Sequence, residues 1–167
     1  RYSTRQLEIR AGLQKINFGS AILLRPLMWF DQVDARDPLQ LTDGVWGLLS
    51  RYYFLNNRNI WFWLLYGNKN PKGWEYLKTH SLYPEIGGRI QTPIPHGEAA
   101  LTYHHRTVKE SSSSSRKIPE HRLGFDTRID MILGLWFEGS WIFKEKDLEQ
   151  LTNQTMINSG LDYTFAV

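Results

Sequence analysis

The sequence predicts an all-β chain, an antiparallel up-and-down transmembrane β-barrel with about eight strands in its 167 residues. Three observations predict it. Apolar and charged residues alternate with a period of two over much of the chain, the mark of strands with two unlike faces. The connections alternate long and short, as in outer-membrane barrels with short periplasmic turns and long extracellular loops. Aromatic residues make up 14 % of the chain, with seven Trp, eight Tyr and eight Phe, and they gather toward strand ends as in membrane-interface girdles.

The predicted strands run over about 5–18, 44–55, 60–67, 84–94, 98–107, 121–131, 135–144 and 155–167. In the first, Leu7, Ile9, Ala11 and Leu13 oppose Glu8, Arg10, Gly12 and Gln14. The second and third are strands by their Trp, Tyr, Phe and Ile content but are aromatic on both sides, which leaves their orientation open. Ile86, Ile90 and Ile94 oppose Glu85, Arg89 and Gln91 in the fourth, and Ala99, Leu101 and Tyr103 oppose Glu98, Thr102, His104 and Arg106 in the fifth. The sixth is clearest: Leu123, Phe125, Thr127, Ile129 and Met131 against Arg122, Gly124, Asp126, Arg128 and Asp130. Leu135, Phe137, Trp141 and Phe143 face away from Glu138 and Ser140, and Leu161, Tyr163 and Phe165 away from Asn158 and Asp162. The short turns fall at 56–59 (NNRN), 95–97 (PHG) and 132–134 (ILG), where Gly134 is expected to supply a positive φ.

Composition excludes other classes. The chain has no Cys, which removes disulfide scaffolds, thiol catalysis and thiolate metal sites. The apolar runs 60–67 and 131–137 fall far short of the roughly 20 residues of a spanning helix. A net charge of +3 is spread along the chain among acids, so nucleic acid is not an expected partner.

With apolar faces outward, the inward positions are Glu8, Arg10, Arg89, Glu98, Arg106, Arg122, Asp126, Arg128, Asp130, Glu138 and Asp162, expected to line a pore. Bases and acids are nearly balanced there, so no charge preference is legible. The same residues serve equally as cross-strand ion pairs holding a wet wall together. An ordinary soluble sandwich or lipocalin-like barrel also alternates. Against it, the apolar faces exceed what one small interior holds, and the charged faces carry both signs.

The stretch 10–19 (RAGLQKINFG), followed by 24–26 (LRP), Phe30-Asp31 and 34–38 (DARDP), resembles the strand and loop of porin-like outer-membrane barrels of the alginate-export and related type. Leu13 stands where that pattern often has Arg. The resemblance covers about thirty residues closely. It implies passage of hydrophilic solutes across the bacterial outer membrane of a Gram-negative cell, with membrane lipid and lipopolysaccharide around the wall. Asp31, Asp34, Arg36 and Asp37 are expected to form a constriction loop if the segment folds into the lumen, or a cluster tying the loop to itself.

Other chemistry finds little support. His104 and His105 are adjacent and point to opposite faces of a strand, so they do not share a metal site. The run 111–115 is a low-complexity serine loop, and His80-Ser81 lies in a loop with no orienting acid. No catalytic, metal or cofactor residue is expected. Gly87-Gly88 is expected to be a bulge or bend, and 144–153 (KEKDLEQLTN) to have some helical character.

Residues 1–167 are expected to be one transmembrane barrel domain and part of a larger barrel: the chain starts abruptly, ends without a terminal aromatic, and places four charges inward on one strand. Eight strands alone enclose an interior filled by side chains. The alternative to a channel is a non-transporting barrel, a structural or interaction component of an envelope protein complex.

Overall fold

The computed structural model describes residues 1–21, 24–31, 43–80, 82–109 and 117–163. They form one antiparallel sheet in which every strand pairs with its sequence neighbours: β1 (Tyr2–Ser3), β2 (Leu7–Gln14), β3 (Val45–Tyr53), β4 (Asn59–Leu65), β5 (Glu85–Ile94), β6 (Gly97–Lys109), β7 (Lys117–Asp130), β8 (Gly134–Lys144) and β9 (Asn153–Asp162). The fold is all-β and up-and-down. β1 and β9 are not paired with each other, so the sheet is open.

The strand count is nine against about eight, because Tyr2–Ser3 forms a short edge strand ahead of the predicted first strand, which itself begins at Leu7. That strand also stops at Gln14 instead of residue 18. β7 starts at Lys117, earlier than expected, and the last strand spans Asn153–Asp162, with 164–167 outside the described residues. The alternation of connections persists: 15–44, 66–84, 110–116 and 145–152 at one end, 54–58, 95–96 and 131–133 at the other.

Two short turns rest on left-handed backbone at Asn57 (φ 63°) and His96 (φ 61°). Gly97 follows because a Cβ there would lie 1.9 Å from the Arg128 carbonyl oxygen. Gly134 adopts no positive φ and opens β8 directly, contrary to expectation. Gly87 and Gly88 are not a bulge either, since both keep unbroken register opposite His104 and Tyr103. Gly87 is instead a close approach: a Cβ would come within 2.6 Å of the Trp63 indole nitrogen. The helical character expected of 144–153 reduces to a 3-10 turn at Glu149–Leu151.

The core lies on one face only. Residues 15–21 and 24–31, which follow β2, lie against the inward face of the sheet and pack Ile16, Phe18, Leu27, Trp29 and Phe30 against Val45, Leu49, Trp63 and Leu65. Phe18 stacks on Trp63 at 6.0 Å, and Phe30 meets the same ring edge-on at 5.4 Å. The segment reaches β7 and β8 as well. Trp29 Nε1–H donates to Ser140 Oγ (3.1 Å), and the Ala21 amide donates to Glu138 Oε1 (2.6 Å). Gly124 makes room for Leu27 and Trp29. The phase left open in the two aromatic strands is thereby settled: Trp61, Trp63 and Leu65 face the segment, while Ile60, Phe62 and Leu64 face out and are exposed.

Candidate functional site: a covered polar interior

The inward face carries charge wherever segment 15–31 does not supply apolar cover. At the long-loop end, β5 to β8 place Glu85, His104, Arg106, Glu120, Arg122 and Lys144 on one side of the sheet, all buried. Register puts Arg106 opposite Glu120 and Glu120 opposite Lys144. The 66–84 connection folds down over them and inserts Lys72 and Glu75, whose side chains are fully buried.

Ion pairs saturate this cluster. Arg106 grips Glu120 with two parallel bonds, Nε to Oε1 at 2.6 Å and an Nη to Oε2 at 3.1 Å. Two parallel bonds fix geometry as well as charge. Glu75 accepts from Arg106 and Arg122 at 2.8 Å each, while Lys72 reaches Glu85 at 3.0 Å. Trp63 Nε1–H donates to His104 Nδ1 (3.1 Å), so the other ring nitrogen carries the proton and donates to Glu85 Oε2 (3.1 Å). Four cations (Lys72, Arg106, Arg122, Lys144) meet three carboxylates (Glu75, Glu85, Glu120) around a neutral imidazole. Such a lattice offers no free nucleophile or base. What it does is clamp a loop into the interior, because each charge removed from water must keep its partner.

Further along the same face, Arg89 holds Asp126 through two bonds (2.5 and 2.9 Å) and also donates to Thr102 Oγ1 (3.0 Å). Glu8 gathers Arg1 (2.6 Å), Arg10 (2.8 Å) and Arg51 (3.8 Å), and the Arg51 guanidinium lies 3.7 Å over the Trp61 ring. Of the residues expected to line a pore, Arg89, Arg106, Arg122, Asp126 and Glu138 are buried beneath the chain's own segments, Glu8 is buried among Arg1, Arg10 and Arg51, Arg10 is half-buried, and Glu98, Arg128, Asp130 and Asp162 are exposed at the short-turn end. Asp31 of the predicted constriction loop is buried on the inward side, paired with Arg25 at 3.1 Å. Asp34, Arg36 and Asp37 lie outside the described residues, as do the serine run and Ser81.

Sequence reasoning did not single out Lys72, Glu75, Glu120 and Lys144 as site residues. Continuing the alternation of β7 backward from Arg122 to Glu120 and Ile118 would have found Glu120. Nothing local marks Lys72 and Glu75, which sit in a loop and acquire their role only by folding in.

The outward face is the reverse. Trp46, Phe62, Ile90, Leu101 and Ile157 are all more than half exposed, with Leu101 at 65 %. An open apolar depression of about 740 Å³ runs across it between Ile60 and Ile157. Near the long-loop end the apolar field gives way to mixed groups: Tyr103 Oη bonds His121 Nδ1 (2.7 Å), and His121 Nε2 bonds Glu145 Oε1 (3.1 Å). Among the described residues no group of three His, Cys, Asp or Glu is placed to hold a metal ion. Comparison with family models, curated proteins and solved structures returned no match.

Proposed function

We propose that this chain is the wall and inner constriction of a non-enzymatic, porin-like channel, resembling the alginate-export type, that passes hydrophilic solutes across the outer membrane of a Gram-negative bacterium. One observation carries the reading: the ion-paired face is buried under the chain's own loops, while the Leu, Ile, Phe and Trp face of β3 to β9 is open. In water that arrangement wastes the hydrophobic term, since large contiguous apolar patches are rare on soluble surfaces. Against hydrocarbon it is the favourable one, and the paired backbone of a β-wall leaves few polar groups facing lipid. No helix of the described residues is long and apolar enough to cross a membrane, which says nothing of strands. Membrane lipid, lipopolysaccharide and further barrel strands are the partners this reading requires, the strands because β1 and β9 leave unpaired edges.

A second reading has its own support. Segments 15–31 and 66–84 fill the interior over β3 to β8, which favours a non-transporting barrel acting within an envelope protein complex. Planar-bilayer recording on the full-length protein separates the two. Discrete conductance steps are the expected result, and an inserted but silent protein favours the second reading. Release into buffer without detergent overturns both.

A further inference from the structure

We propose that Lys109 and Lys117, paired at the long-loop rim of the outward face, hold the phosphate headgroup of an anionic membrane lipid; the inference rests on the membrane reading above. The two residues stand directly opposite each other across β6 and β7. Like charges in that position repel, and a shared anion converts the cost into a gain. Among the described residues neither lysine is ion-paired. Lys117 instead donates to Tyr83 Oη and lies 4.6 Å over the Tyr83 ring, which orients its ammonium. The 78–83 segment that brings Tyr83 is laced to the end of β6 by His80 N to Thr107 O (2.8 Å) and Lys109 N to Lys78 O (3.1 Å). A third lysine therefore joins the rim.

Burial and the nearby charges of Lys109 and Lys117 all push the His80 imidazole below its ordinary value. Height along the wall fits too. Lys117 is twelve residues from Ile129 on the same outward face of β7, roughly 30 Å along the membrane normal for a strand tilted by about 40°. An apolar band is about 25 Å tall, so the lysines stand just past it, at the level of lipid phosphates. Tyr103 and His121 occupy the step between, where amphipathic rings belong. Charge and apolar wall are continuous, so the fitting occupant has both a phosphate and acyl chains; bisphosphorylated lipid A is the probe of that chemistry.

The test is native mass spectrometry of the full-length protein in detergent, titrated with bisphosphorylated lipid A, with the dephosphorylated glycolipid and with inorganic phosphate. The K109Q/K117Q variant is expected to bind bisphosphorylated lipid A about thirtyfold more weakly than the parent. K15Q/K69Q, which removes two other exposed lysines, is expected to bind as the parent does, with circular dichroism of both variants unchanged. The dephosphorylated glycolipid should not distinguish parent from variant. Equal affinity of parent and K109Q/K117Q, or inorganic phosphate binding as tightly as the lipid, overturns the site. If the protein inserts into bilayers and still shows equal affinity, only the site falls; if it never enters micelles or bilayers, the membrane reading falls and takes the site with it.

Discussion

The two faces of β7 are built on one backbone and meet opposite fates. Arg122 and Asp126 are 1 % and 4 % exposed, while their neighbours Leu123 and Phe125 are 43 % and 39 % exposed. Along this strand burial does not follow hydrophobicity. The charged side is covered because two of the chain's own segments descend on it with matching charge and aromatic rings. The apolar side is left exposed, and no segment among the described residues is seen to cover it.

Substitutions that act on one face and spare the other test this contrast. The largest effect is expected for Glu75→Ala, which strips a shared carboxylate from two buried guanidiniums, Arg106 and Arg122. Breaking a buried ion pair costs about 3–5 kcal/mol. Urea unfolding from lipid vesicles should show that loss, and single-channel recording should show larger conductance as the 66–84 segment lets go. On the outward face, Leu101→Arg is expected to cost about 2–4 kcal/mol in a bilayer, by the same unfolding assay. No loss, with a more soluble protein, would mean the face meets water and would end the contrast. Gly87→Ala drives a methyl against the Tyr103 carbonyl oxygen (2.4 Å) and the Trp63 indole, an overpacking expected to cost about 1–3 kcal/mol. Trp29→Phe removes one buried donor to Ser140 and should cost about 1 kcal/mol plus lost contact area.

The smallest effect concerns pH. The His80 imidazole, depressed by burial and by Lys109 and Lys117, takes up a proton less readily than the unfolded chain does at its ordinary 6.5. The unfolded state then binds more protons, so this contribution is present above pH 6.5 and fades as pH falls below it. His80→Gln should flatten that slope in urea titrations at stepped pH, and an unchanged slope would remove the assignment.

Much of this was legible in the sequence, for a physical reason. A strand's side-chain period of two writes its sidedness into the residue order, so Leu123 and Phe125 could be set against Arg122 and Asp126 without coordinates. Turn ends were legible where Asn57 and His96 carry the left-handed backbone, though Gly134 misled because a three-residue turn can close without it. The loops were not legible. Lys72 and Glu75 have no periodic signature, and their partners Glu85, Arg106 and Arg122 are supplied by strands further along the chain. The cover over the interior is a tertiary fact, and it turns an expected wet wall into a buried ion-paired lattice at one end while Glu98, Arg128 and Asp130 stay open at the other.

Segment 15–31 has a consequence for assembly. Its fastenings reach far ahead in the chain, Ala21 to Glu138 across 117 positions and Trp29 to Ser140 across 111. Closing loops of that length is slow, and neither anchor exists until the eighth strand has been laid down. Phe18 and Phe30 meet Trp63 once β4 is in place, but the far ends of this aromatic staple stay unfastened until β8 follows.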